Sequence, residues 1–596
     1  MGLALSGNSG QTPTSGEEPL STLKGPTGAF STADSELFPG PRHLWWVAGL
    51  ISVAILVRLI FLGYPDLIDP SESRFATSAQ QMVASGNYVT PMIHSAEGWH
   101  PYWAKPPLHM WLTAASLRMF GTTTAAARVP GFFSIVVCGL IAGALGTMVV
   151  SRSVGLLSIL VYLSFTGVFL GSAVSLTDPT LALCVSAAYG ATFFAIFLED
   201  SGPRREWWFR LAFAALGLGF LVKGPVAVVL FGVGIGLWLL GSRRWSLVRE
   251  VPWRSGLAIW GVCWLPWYVT AEIATPGFLR YFFLQENLLR FVSSSESGLR
   301  YGTLHTHSRG MIWVMLFGVA FPWSLIGIGR LWSRERAARA CEVVKRDPRV
   351  LFLLCWGVSS PLFFTAARQV LPTYTYSSLP PLAVLMALGL AAVIDSRESR
   401  QRRSPGIARV AGLLGTICLL GGVWGLFEGV LWQAGNKSLG LFAVILGMFV
   451  VLAANRYRHS SATVVVPLAI FGLIAAYGGV LAGVAGMVSE HRSTAAIIEA
   501  ARLDDEQRSE AKPLAVLFSA PHSILFYGAG GDDEHRKRSA LPVISMGLNL
   551  SQAMAAGATR FIVKETDLSR ISAEERSRLI KQATRGQWHL FGLAAG

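Results

Sequence analysis

Charge is scarce in this chain. Only 14% of its 596 residues are Asp, Glu, Lys or Arg, while 52% are hydrophobic, a balance that excludes an ordinary soluble enzyme with several cores. Paired cysteines are missing too: the six (Cys138, Cys184, Cys263, Cys341, Cys355, Cys418) form no CxxC motif and fall in apolar or basic stretches, so neither a disulfide framework nor a thiolate metal site is indicated. The N-terminus lacks a basic n-region and an A-x-A-like cleavage site, which argues against a removable signal peptide. No nucleotide fingerprint and no fixed-period repeat occurs.

What fills the chain instead is a series of apolar runs near or above the roughly 20 helical residues that cross a hydrocarbon layer. They begin at 44–63 (LWWVAGLISVAILVRLIFLG) and end at 463–488 (TVVVPLAIFGLIAAYGGVLAGVAGMV). The net charge of +15 could suggest nucleic acid, so its placement decides. Basic residues concentrate in alternate connections, SGPRREWWFR, GSRRWSLVREVPWR, SRERAARACEVVKRDPR, DSRESRQRRSPGIAR and NRYRHSS, whereas the opposite loops hold most of the loop carboxylates. That is the positive-inside pattern; the charge reports topology, and no nucleic-acid partner is expected.

Residues 1–43, rich in Gly, Ser, Thr and Pro, are expected to be a disordered cytoplasmic tail. Residues 44–488 are expected to be an all-α polytopic membrane bundle of about 13 spans, with a long outer loop at 64–122 carrying interfacial helices. Residues 489–596 change character. Charged stretches there separate a helix (TAAIIEAARL), strands (PLAVLFS, SILFYG), a helix (SQAMAAG), a strand (RFIVKE), a helix (SAEERSRLIKQATR) and a strand (WHLFGLA). This order predicts a small α/β domain with a largely parallel sheet, outside the membrane if the span count is odd.

The stretch DPSESRF, Asp69 to Phe75, opens the outer loop with two carboxylates three positions apart. Asp69 as N-cap, Pro70 at N1 and Glu72 reaching back to the cap amide would make a good helix start. Catalysis is the alternative. The run SESRFATSAQQMVASG sets Phe75, Ala79, Met82 and Val83 on one side and Gln and Ser on the other, which predicts an amphipathic helix on the outer membrane surface. Further along, Lys105 precedes two prolines and follows Tyr102 and Trp103; an ammonium on a stiff interfacial turn suits a lipid phosphate, and an aromatic-belt lysine is the bland alternative.

DPSESRFATSAQQMVASGNYVTP with YWAKPPLHMWLTAASLRMFG resembles the first outer loop of the polyprenyl-phosphate-sugar glycosyltransferases related to aminoarabinose transferase (ArnT-like) and the protein O-mannosyltransferases. The likeness continues through SLTDPTLAL, LVKGPVAVVL, PWYVTAEIATPGFLRYFFLQENLLRF, GVAFPWSL and LPTYTYSSLPPLAVLMA, covering roughly residues 44–395. It implies the GT-C fold and a transfer, usually inverting, of a sugar from a polyprenyl-phosphate donor on the extracytoplasmic face of the plasma (inner) membrane. An envelope glycolipid of the lipid A kind is the favoured acceptor. Ser or Thr of secreted proteins is the alternative within the class, and a secondary transporter the alternative outside it.

Carried over residue by residue, the resemblance implies Asp69, Glu72 and Asp178 as candidate catalytic carboxylates. Tyr102, Lys105, Arg74, Lys223, Glu286, Arg290, Arg368 and Tyr374 are the implied substrate-binding residues. Ser71 stands where the family usually has its catalytic Asp, Ala104 where a Glu often precedes the lysine, and Val370 where a lysine is common, with Arg368 two residues earlier. Asp178 could instead cap its helix, Lys223 could snorkel, and Glu286 and Arg290, one turn apart, could form a surface pair. No cofactor is implied; a divalent metal is left open. A zinc site on His94, His100, His305 and His307 lacks an evident acidic ligand.

Overall fold

The computed structural model describes residues 41–594 except 96–97, 173, 200, 290–300, 302–306, 332, most of 396–461, 509–511, 529–540 and 542. The expected N-terminal tail therefore lies almost wholly outside the described residues. The helices that bear on the site are α1 Pro41–Ile60, α2 Ser71–Ser85, α3 Leu108–Phe120, α4 Thr124–Val149, α5 Arg152–Ser164, α6 Thr177–Phe197, α7 Pro203–Lys223, α8 Val226–Ser242 and α9 Trp253–Ala274. After a π-helical segment, Tyr281–Leu289, come α10 Pro348–Phe364, a 3-10 turn Pro372–Ser378, α11 Leu379–Asp395 and α12 Ala462–Arg492. A two-stranded antiparallel hairpin, β1 Met92–Ser95 and β2 Gly98–Pro101, stands between α2 and α3.

Among the described residues, four helices (Thr124–Val149, Thr177–Phe197, Trp253–Ala274 and Pro372–Ala391) are long and apolar enough to cross a membrane, and five shorter ones are apolar. Thirteen spans cannot be counted from these, because the expected spans within 396–461 fall mostly outside the described residues. Where helices are apolar all round, hydrophobic burial gives no preference for one neighbour, and small residues set the approach. At α4 and α5 a Cβ on Gly146 would sit 2.5 Å from Ser158 Oγ, and one on Gly155 would sit 2.6 Å from the Gly143 carbonyl oxygen. These helices pack backbone to backbone.

The C-terminal domain comprises α13 Ala495–Arg508, β3 Leu514–Leu517, α14 His522–Gly528, β4 Val543–Leu548, α15 Leu550–Ala555, β5 Arg560–Lys564, α16 Ala573–Ser577, β6 Leu579–Arg585 and β7 Trp588–Leu593. Its sheet runs β4-β3-β5-β7-β6. β3 is parallel to β4 and β5, whereas β7 is antiparallel to β5 and β6. The expectation of a largely parallel sheet is corrected to a mixed one. Three elements differ from the expected order, and the β6–β7 hairpin among them makes the sheet mixed. SILFYG is helical, a short apolar run that periodicity cannot assign. The helix begun by the Ser572–Glu575 capping box stops at Ser577, and 579–585 pairs instead with β7 across a turn at Gly586, φ 55°. The strand Val543–Leu548 had no clear sequence signal.

α2 is amphipathic as predicted, but both of its faces meet protein. Phe75, Ala76, Ala79 and Met82 pack with Tyr102, Met110 and Ala114. On the polar side, Thr77 Oγ1 donates to the His522 carbonyl at 3.0 Å and Gln80 Nε2 to that of Phe526 at 3.3 Å. The C-terminal helix α14 thus covers the polar face of a helix that the sequence places on the outer membrane surface.

Candidate functional site

The start of α2 is built differently from a capping box. The residue flanking the helix is Pro70, without a side-chain cap. Asp69 instead accepts hydrogen bonds from the hydroxyls of Ser73 and Ser523 and, at 3.0 Å, from the Ser523 amide. Its own amide donates to the Arg492 carbonyl at 2.9 Å. Asp69 therefore bolts the outer loop to the C-terminal domain. Burial pushes its carboxyl above the ordinary value, opposed by the Ser523 and Ser73 hydrogen bonds.

Glu72 is buried and takes four hydrogen bonds. Oε1 accepts from Arg128 Nε at 2.7 Å and the Ser175 amide at 2.9 Å; Oε2 accepts from Arg128 Nη2 at 2.9 Å and the Ile68 amide at 3.0 Å. Arg128, 1% exposed, also donates to the carbonyls of Leu62, Pro65 and Asp66. A carboxylate so occupied has no lone pair left for an acceptor proton. What it does is fix the loop ending at Ser175, three residues before Asp178, against α2.

Asp178 lies in the first turn of α6, whose flanking residue is Leu176. It does not cap the helix; its Oδ1 accepts from Lys223 Nζ at 2.6 Å, with the side chains 8% and 14% exposed. Lys223 also sits 4.1 Å from the centre of the Tyr374 ring, a cation–π distance. Asp178, Lys223, Thr373, Tyr374 and Ser377 line one cavity floored by Leu181, Leu230 and Phe364. Lys223 ends α7 because Gly224 follows at φ 73°, where a Cβ would also strike the Phe282 ring at 2.6 Å.

A second pair is linked to it through shared elements. Lys105 Nζ donates to Glu286 Oε1 at 2.5 Å and to the Ala104 carbonyl at 2.8 Å; Glu286 is 2% exposed. Glu286 belongs to the π-helical segment that carries Phe282, so the ring against Gly224 joins the two lysine–carboxylate pairs. His109 Nδ1, at 2.9 Å from Thr180 Oγ1, ties the helix after Lys105 to the helix of Asp178. Tyr102 is buried under Tyr301 and Phe75, with the Arg74 guanidinium 5.8 Å from its ring.

Two ammonium groups each held by a buried carboxylate make a poised anion receptor: a phosphate can displace either carboxylate as the partner, and the freed carboxylate can then take an acceptor hydroxyl. Arg368 is not part of this arrangement. It is exposed, and its carbonyl accepts from the His307 amide. Arg290 and His305 lie outside the described residues, and Glu286 has Lys105 as its partner. Among the described residues no group of three or more His, Cys, Asp or Glu is placed to hold a metal. The sequence reasoning missed Arg128 and Ser523. A charge within an apolar run was a signal for the first; nothing local marked the second.

Residues 104–269 match the family described as dolichyl-phosphate-mannose-protein mannosyltransferase. The chain is 31% identical over 340 residues to "Undecaprenyl phosphate-alpha-4-amino-4-deoxy-L-arabinose arabinosyl transferase 2" of Proteus mirabilis (strain HI4320), a match covering 56% of this chain and 57% of that protein. It is 28% identical over 409 residues to the protein of the same description in Pseudomonas fluorescens (strain Pf0-1), covering 67% and 69%. The match thus spans little more than half the length of the Proteus relative. In three dimensions the chain is similar to the crystal structure of ArnT from Cupriavidus metallidurans bound to undecaprenyl phosphate, with TM-score 0.69 and 18% identity over 92% of this chain and 98% of the other. With the apo structure of that protein the TM-score is 0.70 at 19% identity. The GT-C fold implied by the sequence is the fold of this chain.

Proposed function

We propose, from the premise that this chain is a relative of the aminoarabinose transferases and has their fold, that it is a membrane glycosyltransferase. It moves a sugar from a polyprenyl-phosphate donor to an envelope glycolipid of the lipid A kind, on the extracytoplasmic face of the inner membrane. The observation that carries the reading is that the Lys105–Glu286 and Asp178–Lys223 pairs are tied together, by the Phe282 ring against Gly224 and by His109 on Thr180. In this scheme an acceptor oxygen forms a bond to the anomeric carbon as the carbon–oxygen bond to the carrier phosphate breaks. The electron pair leaves on the phosphate.

Lys105, with Tyr102 and Arg74 nearby, receives that developing charge. Lys223, stacked on Tyr374, neutralises an anionic group of the acceptor, and Asp178 orients the acceptor oxygen. Where the acceptor is itself an ionised phosphate no general base is needed, which accommodates Ser71 at the family's usual Asp position. Glu72 is a positioning residue, and Asp69 anchors the outer loop. The C-terminal domain sits on the same side as the site.

The test is reconstitution of the purified chain in liposomes with a radiolabelled polyprenyl-phosphate sugar. Labelled glycolipid is the expected product. Labelled Ser or Thr peptide, or solute movement without a glycosidic product, would replace this reading with one of its rivals.

A further inference from the structure

One wall of the cavity beside Asp178 is the 3-10 turn Pro372–Ser378, and that turn is held from behind. The Tyr374 carbonyl accepts from Ser360 Oγ at 2.6 Å and the Ser377 carbonyl from Trp356 Nε1 at 2.7 Å. The Tyr376 hydroxyl donates to the Gly167 carbonyl at 2.9 Å, and the Thr375 hydroxyl to the Pro372 carbonyl at 2.7 Å. A turn fixed in this way presents its remaining side chains at set positions.

Thr373 and Ser377 are the hydroxyl side chains that line the cavity. Both oxygens are buried without a hydrogen-bond partner among the described residues, and Ser377 is only 4% exposed. A buried hydroxyl left unpaired carries a desolvation cost, so a pair of them on one wall needs a reason. Asp178 and Lys223 do not supply it, because they hold each other at 2.6 Å. Hydroxyls that can both donate and accept suit a ligand that is itself rich in hydroxyls, and the apolar floor at Leu181, Leu230 and Phe364 suits the C–H face of a sugar ring.

Charge narrows the class further. Asp178 is the one carboxylate among the described residues that line the cavity, and it is already shared with Lys223; Glu286 holds Lys105. An ammonium carried on the sugar would enter beside Lys223 with no carboxylate of its own, and a buried charge without a counter-charge is strongly disfavoured.

We propose that Thr373 and Ser377 hydrogen-bond the sugar of the donor, and that this sugar is uncharged and hydroxyl-bearing rather than a 4-amino-4-deoxy sugar of the kind in the Proteus relative's name. The proposal rests on the glycosyltransferase reading above and adds the sugar class. Bond formation at the anomeric carbon sets the ring against the acceptor oxygen that Asp178 orients, so the ring is what the cavity wall meets.

The experiment measures binding to the purified full-length chain in detergent, without acceptor. The probes are undecaprenyl phosphate, undecaprenyl-phosphate arabinose and its 4-amino-4-deoxy counterpart. The arabinose donor is expected to bind about tenfold more tightly than the amino donor, and Ser377→Ala and Thr373→Val are each expected to weaken it about tenfold, with Thr373→Ser keeping the tight binding. Undecaprenyl phosphate should bind the unaltered chain and these variants alike. Should Thr373→Val loosen the turn, read as a lower melting temperature, Ser377→Ala carries the test. Equal or tighter binding of the amino donor overturns the proposal; so does an arabinose affinity unchanged by the substitutions, or a weakening that undecaprenyl phosphate shares. Undecaprenyl phosphate bound without any distinction between the two sugars sinks this proposal and leaves the glycosyltransferase reading standing, whereas no binding of any of these lipids overturns both.

Discussion

A buried charge pair behaves differently when one member is removed than when both are. Lys105→Met leaves the Glu286 carboxylate buried without its ammonium, a loss on the order of 3–5 kcal/mol, so it should lower the melting temperature as well as abolish transfer. Adding Glu286→Gln should restore the melting temperature and leave transfer absent; recovery of activity with stability would show that Lys105 is only structural. Glu72→Gln and Asp178→Asn should separate in the same manner. The first breaks the bidentate contact with Arg128 and unfolds the outer loop at lower temperature without touching substrate, while the second lowers the melting temperature as half of a buried pair does and also reduces kcat at least a hundredfold, a loss that adding Lys223→Met should not repair even as it restores the melting temperature. These side chains were nameable from sequence because the family resemblance matched them motif by motif. Their partners were not, since Lys105 and Glu286 are 181 positions apart and Glu72 and Arg128 are 56; only the folded chain decides which carboxylate a cation meets.

At the scale of elements, the contact between α2 and α14 couples docking to pH through two groups of opposite sign. Asp69 binds its proton more tightly folded than unfolded, so its contribution favours docking at acid pH and is lost as pH rises above the ordinary carboxylate range. His522, held down to about 3 chiefly by burial, acts the other way: the unfolded imidazole takes up a proton below about 6.5, and stability falls from there toward about 3. Asp69→Asn removes only the first term. Its thermal stability should fall more steeply than that of the unaltered chain between pH 6.5 and 4, measured by scanning calorimetry or intrinsic fluorescence; equal slopes would mean Asp69 is not the anchoring carboxylate. The amphipathic period of α2 was legible, but not what covers its polar side. A Thr and Gln face looks the same in sequence whether it meets water, lipid headgroups or the carbonyls of another domain.

For the molecule as a whole, the composition and charge alternation made the membrane bundle legible before any contact was known, because a hydrocarbon layer imposes span length and loop charge on every sequence that crosses it. The C-terminal sheet was less legible, since strand direction depends on partners that a local pattern does not name. If Lys105, Asp178 and the C-terminal domain share the outer side, single cysteines placed at Gly98 and Gly557 should both react with a membrane-impermeant thiol reagent in intact cells, while one at Arg336 should not; protection of the first two would reverse the topology. One junction sets the timing of assembly. The Asp66 amide rests on Ser489, the Asp69 amide on Arg492, and the Asp69 carboxylate on Ser523, so a loop synthesised near the beginning of the chain waits for residues made near its end. Nascent chains halted before residue 489 should carry a protease-sensitive first loop however well their bundle has inserted, and ribosomes must finish nearly the whole message before the outer face can close.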